Sequence, residues 1–368
     1  MGASRLKRRE FISGLGGAAT LAACTPQSES VTTEPRSQQQ FSWRVVTTWP
    51  KNFPGLGTGA NTMVRYINEL SAGRLNITVY GAGEVVPALE VFDAVSLGAV
   101  EMGHSPSYYW LGKSRAAQFF TTLPFGMTAH EHNAWLYYGG GLELWRETYE
   151  PFNLVPFPVG NTGVQMGGWF NKPIDSIADL QGLKIRMPGL AGEVLRRAGA
   201  VPVMLPGSEI FTALQTGSID AAEWVSPYND QAMGLQQAAR YYYYPGWQEP
   251  GPAIECIVNR EAWESLPVDL QAIVRIACQA AMVDMTSEFM ARNASALKQL
   301  MDKGDIELRE YPKPLLAELK KLTFEVVEEL AAENSQFAKV WESYRAFMEV
   351  SRGWQSISEQ SYLSTQEF

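Results

Sequence analysis

Four stretches of the sequence set polar side chains among aromatic residues or glycines. They are Ser105-Pro106-Ser107-Tyr108-Tyr109-Trp110, Asn161 to Phe170, Gly182-Leu183-Lys184-Ile185-Arg186-Met187-Pro188, and Asp220-Ala221-Ala222-Glu223-Trp224. Such surroundings suit a site with apolar walls and a few directed polar groups. Arg186 closes an apolar run that reads as a strand, and its planar guanidinium offers paired donors matched to a carboxylate. Lys184 is two positions earlier, on the same side of that strand, but an ammonium on a flexible stem matches a carboxylate less well. Gln165 and Glu223 add side-chain oxygens to these stretches. On residue type alone, Gln165 is more often an ordinary polar strand residue and Glu223 a solvated strand-end acid, while the competing reading of Arg186 is half of a surface ion pair.

The signatures of catalysis are thin. There is no Gly-x-Ser-x-Gly elbow, and Gly139-Gly140-Gly141 lacks the Lys-Ser/Thr of a phosphate loop. His130 and His132 flank Glu131 two positions apart, a spacing that points them to different sides of a helix, so they read as surface residues near a helix start. His104 ends an apolar strand and reads as structural. Three Cys and three His are too few for a structural zinc cluster or a disulfide framework. Cys256 and Cys278 lie in apolar runs and read as buried, inert thiols rather than a disulfide.

The elements around these stretches follow from apolar periodicity. Strand Trp43–Thr47 leads into a helix with Met63, Ile67 and Leu70 on one face and Gly73 as its stop, and the next strand is Leu75–Tyr80. Strand and helix alternate to about residue 260, which predicts an α/β protein with mainly parallel pairing. Residues 92–101 (FDAVSLGAVE) are echoed at 211–220 (FTALQTGSID). In both, an amphipathic helix stops at Gly and passes into an apolar-acidic strand, which predicts one copy per lobe of a two-lobed body. A long helix from Pro267 to about Lys303 can brace both lobes. The tail from Pro312 is amphipathic and ends in Trp341, Tyr344, Phe347 and Trp354, read as lying beyond the two lobes and in need of a partner surface.

The N-terminus carries an address. Arg8-Arg9-Glu10-Phe11 precedes a short apolar run to Ala23, too short to span a bilayer, which takes about 20 apolar residues. The pattern is that of a twin-arginine signal peptide over residues 1–23. Leu21-Ala22-Ala23-Cys24 reads as a lipobox with Cys24 as the lipidation site, and residues 24–40 read as a flexible tether. The chain has 46% hydrophobic and 19% charged residues and a net charge of -9; losing residues 1–23, with Arg5, Lys7, Arg8, Arg9 and Glu10, leaves -12. That composition excludes intrinsic disorder, and the negative field excludes a nucleic-acid partner.

With the Gly-x-Ile-Asp echo and Tyr241-Tyr242-Tyr243-Tyr244-Pro245-Gly246-Trp247, the four stretches resemble the substrate-binding subunit of tripartite ATP-independent periplasmic (TRAP) transporters. The similarity runs from about Trp43 to at least Phe347. Within that family the chain is most similar to the branch that binds 2-oxo acids such as pyruvate together with sodium. The resemblance implies a two-lobed, clamshell α/β periplasmic binding protein with a long bracing helix and a helical C-terminus. Its lobes are expected at residues 41–161 and 162–252, with 253–368 shared between them.

It also implies a non-catalytic receptor that delivers a small carboxylate to a small and a large membrane subunit. Arg186 takes the family's carboxylate-binding role. Gln165, Glu223 and the Trp224 carbonyl take the cation, with sodium expected ahead of calcium. Tyr108, Tyr109, Asn161, Asn229 and Trp247 are expected to shape the pocket, and Glu249 to hydrogen-bond ligand or metal. A homodimer through the C-terminal helix is implied, with a helix folded back on its own lobe as the other possibility. An ATP-driven transporter's receptor and an exported enzyme acting on small acids stand as the competing functions.

Overall fold

The computed structural model describes residues 39–367. The predicted signal peptide, Cys24 and the predicted tether up to Gln38 lie outside the described residues. Eleven strands are described: β1 (Phe41–Thr47), β2 (Leu75–Tyr80), β3 (Met102–Ser105), β4 (Leu154–Asn161), β5 (Gly168–Phe170), β6 (Lys184–Arg186), β7 (Val201–Val203), β8 (Ala221–Ala222), β9 (Tyr241–Tyr244), β10 (Ala253–Asn259) and β11 (Glu307–Glu310). The helices are α1 (Leu56–Leu70), α2 (Val91–Ser96), α3 (Ala129–Tyr138), α4 (Gly141–Tyr149), α5 (Gly189–Arg197), α6 (Gly207–Gln215), α7 (Pro227–Met233), α8 (Arg260–Ser265), α9 (Val268–Asp302), α10 (Lys313–Glu333), α11 (Ser335–Ile357) and α12 (Glu359–Ser364). None of them is long and apolar enough to cross a membrane.

The strands form two sheets, β2-β1-β3-β10-β4 and β11-β9-β5-β8-β6-β7, each the centre of one lobe. Pairing is mixed, which corrects the expectation of mainly parallel sheets. The chain leaves the first sheet at the end of β4 and re-enters it at the start of β10, with Ala253 opposite Asn161, so β10 runs antiparallel to β4 and β3. Two crossovers placed side by side impose that direction. The second sheet has the same mixture, with β5 antiparallel to β8 and β9. Strand β11 had no counterpart in the sequence reading; it returns from the long helix to pair with β9.

The echoed segments occupy equivalent places, α2 leading to β3 in the first sheet and α6 leading to β8 in the second. Each helix is followed by a glycine in the left-handed region, Gly98 at φ 71° and Gly217 at φ 72°, where a side chain would be strained. Each strand begins one residue after the acid, at Met102 and Ala221.

Helix α9 packs on β4 and α1 on one side and on α7 on the other, so it braces both lobes. Helix α10 does so too, because Leu315 and Leu319 enter the core of the second lobe whereas Val326 and Val327 enter that of the first. The tail is corrected. Trp341 and Tyr344 of α11 are buried against Phe119 and Trp135, and the Tyr344 hydroxyl accepts from the backbone N–H of Met127 at 2.8 Å. These aromatics complete the first lobe because its helical face, α3 and α4, is otherwise uncovered. Trp354, further along, is 66% exposed. Cys256 and Cys278 are buried and free.

Candidate functional site

A small cavity lies between the lobes, walled by Trp49, Leu56, Tyr108, Tyr109 and Ile254 from the first and by Thr162, Gln165, Trp224, Val225, Glu249 and Pro252 from the crossovers and the second. Trp224 meets Trp49 and Phe53 edge to face, with ring centroids 6.1 and 6.0 Å apart. A larger, open groove lies on the other side of Tyr108 and Tyr109. Its arginines are paired with acids, Arg115 with Glu333, Arg196 with Glu193 and Arg197 with Glu329, so its charge is balanced.

Arg186 ends β6 with its side chain buried. Nη1 donates to Glu223 Oε2 at 2.7 Å and to the Glu223 carbonyl at 3.0 Å, and Nη2 donates across the lobes to the Tyr109 hydroxyl at 3.2 Å. The guanidinium also sits 5.3 Å from the Trp224 ring. Lys184, by contrast, is exposed at the start of the same strand. Two residues on one face of a strand differ in depth here because only the strand's end lies beneath the other lobe.

Three buried oxygens near this pair, Gln165 Oε1, Glu223 Oε1 and Glu249 Oε2, have no hydrogen-bond partner. Burial, together with the Glu249 carboxylate, pushes the Glu223 carboxyl well up, while Arg186 pulls it back. Burial lifts the Glu249 carboxyl to about 7 against Arg186 and hydrogen bonds from Tyr108 and Gln165. Desolvated oxygens without donors are costly unless something positive meets them. The residues therefore fit a hard cation, which Gln165, Glu223 and the Trp224 carbonyl would hold. Gln165 itself is fixed by backbone: Gly246 donates to its carbonyl at 2.9 Å, and a Cβ on Gly246 would stand 2.3 Å from that oxygen.

The remaining sequence candidates are spread more widely. Tyr108 and Glu249 line the cavity. Asn161 closes β4 where the crossover begins, its amide donating to the Gly251 carbonyl at 3.0 Å and its oxygen accepting from the Gly163 N–H at 2.9 Å. Asn229 bridges the lobes, donating to the Pro54 carbonyl at 2.7 Å. Trp247 stacks on Phe125 and packs in the core of the second lobe, away from the cavity walls. His132, expected at the surface, is buried with its two nitrogens 3.1 Å from the Gly251 and Phe119 carbonyls, because α3 turns it under the crossover; His130 is exposed.

Three supports were not read from sequence. The Trp49 indole donates to His104 Nδ1 at 3.0 Å, which fixes one cavity wall. Glu255 accepts from Ser105, Trp110 and Tyr149, holding the segment that bears Tyr108 and Tyr109. Asp230 accepts from the Trp169 indole and the Tyr242 hydroxyl. The tyrosine-rich segment held a signal for the last, since a strand tyrosine on the buried face needs a partner for its hydroxyl.

Comparison with known proteins agrees with this architecture. Residues 45–334 match the model of the bacterial extracellular solute-binding proteins, family 7. The chain is 43% identical, over 97% of its length and 98% of the relative's, to a monocarboxylate 2-oxoacid-binding periplasmic protein of Nostoc sp. (strain PCC 7120). Among solved structures it is similar to a TRAP periplasmic solute-binding protein of Pseudoalteromonas atlantica with bound sodium and pyruvate (44% identity, TM-score 0.87, 89% of this chain and 99% of that one). It is likewise similar to one of Colwellia psychrerythraea with bound calcium and pyruvate (43% identity, TM-score 0.87, 89% and 100%). With its two mixed sheets, its bracing helices and its match across residues 45–334, the chain belongs to family 7 of the bacterial extracellular solute-binding proteins.

Proposed function

We propose that this chain is the extracytoplasmic receptor of a TRAP transporter, closing its lobes over a small 2-oxo monocarboxylate and a metal cation and presenting the acid to the small and large membrane subunits. The observation that carries the reading is a buried guanidinium beside three buried oxygens without partners, at a cavity between the lobes. Arg186 takes the ligand carboxylate. Gln165, Glu223 and the Trp224 carbonyl hold the cation, and Tyr108, Tyr109 and Glu249 shape the remaining wall. Sodium is expected ahead of calcium as that cation. The receptor is non-catalytic and works in the periplasm, reached by the twin-arginine route and tethered through a lipid on Cys24. Residues 41–161 and 162–252 form its lobes, with 253–368 shared. Val350, Trp354, Ile357, Tyr362 and Leu363 are exposed along the C-terminal helices and form the contact of a homodimer.

The test is a thermal-shift screen of short 2-oxo, 2-hydroxy and dicarboxylic acids, with and without sodium or calcium. A ligand at one hundred times its dissociation constant adds about 2.7 kcal/mol of stability. The largest shift is expected for a three- or four-carbon 2-oxo acid in the presence of cation. A screen in which no monocarboxylate moves the transition refutes the reading.

A further inference from the structure

Asp230, in α7, is a buried carboxylate that does not line the cavity. Its Oδ2 accepts from Trp169 Nε1 at 2.9 Å and from the Tyr242 hydroxyl at 2.7 Å, and its Oδ1 accepts from the Val225 backbone N–H at 3.2 Å. The Trp169 and Tyr242 rings stack 4.0 Å apart on neighbouring strands, so the two donors reach one oxygen from a rigid platform. Val225 follows directly on Glu223 and Trp224, and its carbonyl accepts from the Met166 N–H next to Gln165. All of these groups give hydrogen bonds to Asp230, which leaves the carboxylate as a pure acceptor with no need of a proton. Burial lifts its pKa to about 6, still below neutrality. Its negative charge is felt at Glu223, whose own carboxyl it helps to raise.

We propose that Asp230 is the positioning residue of the cation site: through Val225 it fixes the loop that carries Glu223 and the Trp224 carbonyl, and it adds a fixed negative charge that attracts the ion without touching it. The inference rests on the cation reading above. Its charge part has a signature that packing lacks. A Coulomb interaction scales with the charge of the ion, so losing it costs a divalent ion twice the free energy it costs a monovalent one. In affinities, the calcium loss is the square of the sodium loss, about a hundredfold where sodium falls tenfold.

The experiment titrates sodium chloride and calcium chloride into the full mature chain, into Asp230→Asn and into Tyr242→Phe, reading heat or tryptophan fluorescence. Asp230→Asn is expected to weaken both ions, calcium by the larger factor. Tyr242→Phe keeps the charge but removes one of the two donors that hold Oδ2, leaving only Trp169, and is expected to weaken both ions by more than twofold and by equal factors. Equal factors for the two ions in Asp230→Asn, or affinities within twofold of wild type, overturn the proposal while leaving the cation reading intact. A wild-type chain that binds neither ion overturns both. Where Asp230→Asn does not fold, Tyr242→Phe decides: cation affinity within twofold of wild type overturns the proposal, and a greater loss supports it.

Discussion

Arg186 Nη1 lies 2.7 Å from Glu223 Oε2, and neither side chain is exposed to solvent. Such a pair is weak evidence for stability, because removing both charges from water costs about what their attraction returns. Its geometry is better explained by use. Arg186 turns Nη2 towards the cavity, where it donates to the Tyr109 hydroxyl, and Glu223 has Oε1 without a donor, so both partners present a group to the cavity beyond their own pairing. Glu223 can therefore join the guanidinium to a cation, and the cation to a ligand carboxylate lying against Arg186. Ligand and ion are then expected to bind cooperatively.

Replacing Arg186 with Ala should cost about 2–5 kcal/mol of ligand binding, since the acid loses its charged partner in a desolvated site. It also leaves Glu223 buried and unpaired, so the ligand-free variant should melt earlier, and adding Glu223→Gln should restore part of that loss. Calorimetry and thermal melts of the single and double variants check both. Ligand affinity within threefold of wild type would remove Arg186 from its role.

Glu223→Gln and Gln165→Ala should weaken the ligand chiefly by losing the ion. Wild type in cation-free buffer should then resemble the variants, and the variants should gain little from added sodium. Ligand titrations with and without sodium in all three proteins decide it; an affinity in wild type that ignores sodium and calcium would sink the idea.

The parts of this architecture that were legible in sequence are those set by local pattern. The echoed helix-glycine-strand units, the breaker-free run of α9 and a lone arginine ending an apolar strand each follow from neighbours a few residues apart. The rest depends on partners far along the chain. Asp230 and Glu255 look like ordinary acids until Trp169, 61 positions away, and Trp110, 145 positions away, arrive to hydrogen-bond them. Lys184 and Arg186 share a strand face, and only the placement of the other lobe separates the exposed one from the buried one. The direction of β10 was hidden for the same reason, since it is set by two crossovers between lobes.

Stability should fall as pH rises through the window set by Glu255. Burial raises its carboxyl from an ordinary value to about 7, against hydrogen bonds from Trp110, Ser105 and Tyr149. Between the unfolded value of 4.5 and about 7, the folded state holds a proton that the unfolded state has released. Raising the pH across that range therefore favours unfolding. The ligand-free protein is expected to melt higher at pH 5 than at pH 7.5, and Glu255→Gln, which cannot ionise, should remove part of that slope, the rest coming from Glu249 and Asp230, whose carboxyls burial raises to about 7 and about 6. A variant with the wild-type slope would assign the pH dependence elsewhere.

The C-terminal helix divides into two parts with different expected phenotypes. Trp341 and Tyr344 fill the first lobe, so Trp341→Ala should destabilise the monomer by about 3–5 kcal/mol, the usual cost of emptying a large core site. A chain ending at Asn334 would lose both residues and so would test folding rather than association. Past Met348 several large apolar residues are exposed among polar ones: Val350, Trp354 and Ile357 are 79%, 66% and 72% exposed. A chain ending at Gly353 removes Trp354, Ile357, Tyr362 and Leu363 and leaves the buried half of α11 in place. It should melt within a degree or two of the full mature chain at low protein concentration and bind the same acid. If these residues join two copies, light scattering at micromolar concentration should show a dimer for the full chain and a monomer for the shortened one, and the melting temperature of the full chain alone should rise with concentration. A full-length monomer at that concentration would count against the dimer.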